Sequence, residues 1–106
     1  MPKKFQLVFQ FESETLEDFD RLTALEEAIE AQFRTSNVTK LDGHDCGMGE
    51  FNIFLHTNEP QSEYVKFADF INEFIPGLPF RAAFRSFEDE EYTVLWPSSL
   101  KTFSVA

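Results

Sequence analysis

Lys4-Phe5-Gln6-Leu7-Val8-Phe9-Gln10-Phe11-Glu12 is the stretch that decides the fold. Phe5, Leu7, Phe9 and Phe11 alternate with Lys4, Gln6, Val8, Gln10 and Glu12, the period of two of a strand with one face buried and the other largely wet. The period then changes. Leu16, Phe19, Leu22, Leu25, Ile29 and Phe33 recur at steps of three and four, with Asp20, Arg21, Glu26, Glu27 and Glu30 mainly on the other side, so a helix runs to about Arg34. Ser13 or Thr15 supplies its cap, and Glu14, Glu17 and Asp18 stand near the positive end of its dipole.

Further along, Val38 to Leu41 predicts a short second strand. Asp42 to Gly49 reads as a loop, because three glycines in seven residues permit backbone angles that other residues resist. Phe51, Ile53 and Leu55 then alternate with Asn52, Phe54 and His56 as a third strand. Thr57-Asn58-Glu59-Pro60 begins a second helix with Pro in its first turn, and Tyr64, Phe67, Ala68, Ile71, Phe74 and Ile75 form its apolar stripe. Pro76-Gly77-Leu78-Pro79 ends it. Phe80, Ala82 and Phe84 alternate with Arg81, Ala83, Arg85 and Phe87, and the charged turn Glu88 to Glu91 leads into a last strand, Tyr92 to Trp96. Pro97-Ser98-Ser99 breaks the pattern, leaving a tail that docks through Leu100 and Phe103 or frays.

The order β-α-β-β-α-β predicts an α+β, ferredoxin-like two-layer sandwich. Its antiparallel sheet carries both helices on one face, the first strand lies between the third and fourth, and an extra C-terminal strand lies beside the fourth. Another α+β two-layer sandwich is the rival. One domain spans residues 1–106, with a core of 1–96 and a tail of 97–106.

The 106 residues carry nineteen Asp and Glu against nine Lys and Arg, a net charge of −10 that repels a phosphate backbone and excludes nucleic acid as the expected partner. Fourteen Phe and 16% aromatics are too much apolar bulk for a disordered acidic chain. The single cysteine, Cys46, allows no intramolecular disulfide and points to a reducing compartment. Lys3 and Lys4 before Phe5 begin like a signal peptide, but Gln6, Gln10 and Glu12 interrupt it and no small-residue cleavage site follows. No run approaches the ~20 apolar residues of a membrane span. A cytoplasmic protein with no membrane partner is expected.

In this topology Glu12 to Thr15, Asp42 to Gly49 and Ile75 to Pro79 converge at one sheet edge. Asp42, His44, Asp45, Cys46 and Glu50 place five ligating or proton-transfer groups in nine positions there, with Glu12 or Glu14 as a further member. They form the candidate ligand site, and whether it takes a metal is open. Counted as a calcium loop from Asp42, His44 and Cys46 fall where oxygen ligands belong, and Ile53 takes the place of the closing Glu. The competing reading is a loop whose Asp side chains hold its own backbone. Gly47-Met48-Gly49 lacks the third glycine and the following helix of a phosphate loop. As a nucleophile, Cys46 has only His44 within reach as base, since His56 lies about 20 Å from Glu50 along the strand, and neighbouring Asp42 and Asp45 disfavour a thiolate. No catalytic residue and no cofactor is assigned.

A second surface is the sheet face turned away from the helices. Val8, Phe54, His56, Arg81, Arg85 and Phe87 are its candidate interface residues, beside Gln6, Gln10 and Asn52, because aromatics and Arg are enriched at interface cores. The alternative is cover by the tail or the added strand, with Tyr92 and Trp96 folding over the same face. The aromatic and basic-aromatic signatures of an RNA-reading sheet are absent.

The segment Asp42-Gly43-His44-Asp45-Cys46-Gly47-Met48-Gly49-Glu50-Phe51-Asn52-Ile53-Phe54, with Thr57 and Pro60, resembles small uncharacterised bacterial proteins that carry a similar Gly-rich loop before a strand; it covers roughly a fifth of the chain. That group has no established activity, so the resemblance implies a bacterial single-domain protein and assigns no residue a role. The expected function is a non-enzymatic binding module, self-associating through the open sheet face or meeting another protein, such as a basic protein that it antagonises; a small ligand is a further option. The alternative is a metal-dependent ligand binder or enzyme using Asp42 to Glu50.

Overall fold

In the computed structural model, which describes residues 3–105, the chain forms seven elements. Met1, Pro2 and Ala106, the ends of the expected domain and tail, lie outside the described residues. The strands are β1 (Phe5–Glu12), β2 (Thr39–Gly47), β3 (Glu50–Thr57), β4 (Arg81–Ser86) and β5 (Thr93–Trp96), and the helices are α1 (Leu16–Phe33) and α2 (Pro60–Phe74). The class is α+β, with one five-stranded sheet in the order β2-β3-β1-β4-β5 and every pairing antiparallel. β1 is central. Leu7, Phe9, Phe11, Phe51, Ile53, Leu55 and Ala82 on one sheet face meet Leu22, Leu25 and Ile29 of α1 and Phe67 and Ile71 of α2 in one buried cluster. Both helices therefore cover the same face. Phe9 stands at its middle, with Tyr64, Phe67 and Phe80 at ring-centroid distances of 6.0, 6.4 and 5.5 Å.

The cap of α1 is Thr15, not Ser13. The Thr15 hydroxyl accepts the Asp18 N–H at 3.0 Å, while the Asp18 carboxylate accepts the Glu14 N–H at 3.2 Å. That second bond, with help from Thr15 and Arg21, holds the Asp18 carboxyl below its usual value of 3.8.

The expected loop at Asp42 to Gly49 is a correction. β2 continues through it to Gly47, pairing His44 with Ile53, Cys46 with Phe51 and Gly47 with Glu50. Only Met48 and Gly49 turn, with φ of 53° and 78°, the left-handed pair that a two-residue hairpin requires. Gly43 acts separately: the register shifts between Leu41 and Gly43, and at φ 141° Gly43 takes a bulge conformation that a side chain would oppose.

Glu63 of α2 is 2% exposed, a burial no apolar periodicity announces. A relay satisfies it. The Glu59 N–H donates to the Thr57 hydroxyl at 3.0 Å, the two threonine oxygens of Thr57 and Thr39 lie 2.9 Å apart, and Thr39 donates to Glu63 Oε1 at 2.6 Å. Since Thr39 has one proton and gives it to the carboxylate, Thr57 donates to Thr39. Lys66 Nζ lies 3.0 Å from Glu63 Oε2 and completes the charge balance. The relay ties β2, β3 and α2 at the end of the sheet remote from the turn.

Thr39→Val is expected to cost about 2–3 kcal/mol, since it leaves a buried carboxylate oxygen without its donor. Urea unfolding with an unchanged denaturant slope is the measurement. The lowered Asp18 carboxyl makes a contribution to stability that is complete above pH 3.8 and lost as pH falls through the folded value. The stability deficit of Asp18→Ala is accordingly expected at pH 7 and to narrow below pH 3.8 in acid unfolding curves.

Candidate functional site

Three elements do meet where the sequence places them. The Ser13 N–H donates to the Gly49 carbonyl at 2.9 Å, Glu12 pairs with Glu50, and Arg81 of β4 lies 3.5 Å from Glu50 Oε2. A cavity of about 160 Å³ opens beside them, lined by Gln10, Glu12, Pro79, Phe80 and Arg81. The remaining candidate ligands diverge from it, because β2 is a strand and successive side chains take opposite faces. His44 and Cys46 lie on the helix side. The His44 ring stacks on Phe51 at 4.7 Å, meets the edge of Phe19 at 6.3 Å, and places Nδ1 2.8 Å from Glu26 Oε1 of α1. Cys46 is exposed. Asp45 pairs with Asn52 on the outer face, and Asp42, beside the bulge, reaches His56 Nε2 at 3.4 Å. Among the described residues no three His, Cys, Asp or Glu side chains gather in a way that could hold a metal ion.

The outer face is organised in rows set by the register. The row nearest the hairpin turn runs Asp45, Asn52, Gln10, Arg81; the middle row runs Phe54, Val8, Ala83, Val94; the third runs Lys40, His56, Gln6, Arg85. The middle of its first two rows is closed, which corrects the reading of Val8 as an interface residue, while Asp45 and Arg81 at the ends of the first row keep exposed surface. Val8 and Ala83 have no exposed surface, and Asn52 and Gln10 have 1% and 3%. The chain after β5 returns over them: Gln10 Nε2 donates to the Ser104 carbonyl at 3.0 Å and to Asn52 Oδ1 at 2.9 Å, with Glu50 Oε1 at 3.2 Å, and Phe103 meets Tyr92 edge to face at 5.0 Å. Phe54 is half-buried. Tyr92 folds over this face and Trp96 does not; it stays 46% exposed on the last strand.

The third row is half-buried at Gln6, His56 and Arg85 and exposed at Lys40, and its side chains are held in place. Gln6 Oε1 accepts from the Tyr92 hydroxyl at 2.9 Å and from Arg85 Nε at 3.3 Å. A second arm of that guanidinium donates to the Asp89 carbonyl at 2.9 Å, and its carbon sits 5.7 Å from the Phe87 ring centre and 5.8 Å from that of Tyr92. His56 meets Phe87 edge to face at 4.9 Å. Phe87 itself is 42% exposed. A groove of about 340 Å³ runs beside it, lined by Lys3, Lys4, Phe5, Ser86, Phe87 and Glu88. Lys4, Lys40 and Arg85 thus lie at one end of one face of an acidic chain, and Lys3, whose Nζ donates to the Asn37 carbonyl, borders the same groove. Alternation placed Arg85, His56 and Phe87 here; Lys3 and Lys4 drew attention only as the basic start of the chain, because they precede the first strand.

No family model, curated protein or solved structure matches the chain. No helix among the described residues is long and apolar enough to cross a membrane.

Replacing His44 and Asp45 together by Ala is expected to lower stability by about 1–2 kcal/mol, through the lost ring stacking and the lost Glu26 contact. Zinc titrated into the wild-type chain in a calorimeter is expected to give no saturable heat, so the double variant has no metal binding to lose.

Proposed function

We propose that the protein is a small non-enzymatic binding module that meets a protein partner through the open end of its outer sheet face, around Phe87, Arg85 and His56. The ferredoxin-like βαββαβ plan belongs to the same reading. It is supported by two interleaved units, β1-α1-β2 with β3 between its strands and β3-α2-β4 with β1 between its strands. The observation that carries the functional reading is the exposure of Phe87 beside two held neighbours: an apolar ring left 42% open with His56 edge to face against it and the Arg85 guanidinium near it. Aromatic and Arg anchors of this kind lose little side-chain freedom on binding and dominate interface energetics. The alternative centred on Asp42 to Glu50 draws less support, since its His and Cys lie on one side of β2 and its two Asp on the other.

A photoreactive phenylalanine analogue at position 87 is expected to form protein adducts in extracts of the native host. The same analogue at Val65, 54% exposed on α2, serves as the control and is expected to form none. Equal labelling from both positions, or none from position 87, overturns the reading.

A further inference from the structure

The open end of the face carries both signs of charge side by side. Lys3 and Lys4 line the groove next to Phe87, Lys40 and Arg85 flank it along the third row, and Glu88 to Glu91 turn immediately beyond it. Arg85 is bonded to the backbone of that turn at Asp89, so the acidic and basic segments keep a fixed relation. A strongly acidic partner is opposed by the turn, and a strongly basic one by the four cations. A surface with the same juxtaposition satisfies both.

Resting on the binding-module reading, we propose that the partner is a second copy of this chain. The two faces meet across a twofold axis, with Phe87 near its centre and each acidic turn against the other copy's Lys3 and Lys4. A twofold interface must be self-complementary, each patch contacting its own symmetry mate. Neighbouring charges of opposite sign on one rigid patch meet that condition, which a patch of one sign cannot. The contact also has to overcome repulsion between two chains of net charge −10, and only locally paired charge does so at short range. The tail bounds the surface at Gln10, which donates to the Ser104 carbonyl beside the buried Asn52 and Val8, and leaves the Gln6 row for the partner.

The test uses two charge-reversed chains, Lys3→Glu with Lys4→Glu, and Glu90→Lys with Glu91→Lys. The wild type is expected to show twice the chain mass in light scattering at high micromolar concentration. Each reversed chain, with thermal unfolding confirming its fold, is expected to dissociate roughly 100-fold more readily, because like charges then face each other at both contacts. Mixing the two restores opposite charges at both contacts, so the mixed dimer is expected to form with near wild-type affinity. A monomeric wild type overturns the proposal, as does a dimer indifferent to both reversals or a mixture that fails to reassociate. A monomeric wild type that still labels another protein through position 87 leaves the binding-module reading intact and removes only the second copy.

Discussion

β1 has to be covered on both faces, and the rest of the molecule follows from how that is done. Leu7, Phe9 and Phe11 point to one side and Val8 to the other, and all four have 1% or less of their surface exposed. Burying a side chain of this size contributes about 1.5–3 kcal/mol, so these four together rival the whole net stability of a small domain. Two helices supply the cover on one side. On the other, the chain makes do with the segment after β5, anchored by one carbonyl on Gln10 and one ring on Tyr92. Such a segment reaches only part of the face, and the Gln6 row lies beyond its cover.

The alternation in Phe5 to Phe11 and the three-to-four spacing from Leu16 to Phe33 were legible because each has a period that a single buried face imposes. Val8 shows what such a pattern misses: it stands in the wet phase of the alternation and yet has no exposed surface. The glycines misled for a related reason. Clustered in sequence, they read as one loop, yet Gly43 relieves a bulge and Gly49 closes a turn, with paired strand between them. Glu63 was invisible for the opposite reason, since its burial rests on hydroxyls of Thr39 and Thr57 that pattern reading treats as neutral.

Misreading the hairpin also gathered a site that the backbone divides. In a loop, Asp42, His44, Asp45 and Cys46 are free to turn toward one point. In a strand they cannot, and the bulge decides which side each takes: Asp42 goes to His56 on the outer face and His44 to Glu26 beneath α1. The parts of the expected edge that survive are those set by topology, Glu12, Glu50 and Arg81. Convergence of strand ends is a property of the fold, whereas convergence of side chains along one strand is limited by its period of two.

The sheet's two edges are both guarded against pairing through their backbone. β2 is long enough to pair with another strand, but it carries a bulge at Gly43 and the charges of Lys40, Asp42 and Asp45. β5 is four residues long and is followed at once by Pro97, which has no N–H to offer. Bulges, charges, short strands and proline are the devices that keep sheet edges from pairing. With both edges guarded, the helix layer closing one face and Val8, Gln10, Asn52 and Ala83 buried in the middle of the other, the remaining row concentrates what the acidic average conceals. Net charge −10 describes the field far from the protein; within a few ångströms of Phe87, the lysines lining its groove and the acidic turn from Glu88 to Glu91 set the local field instead.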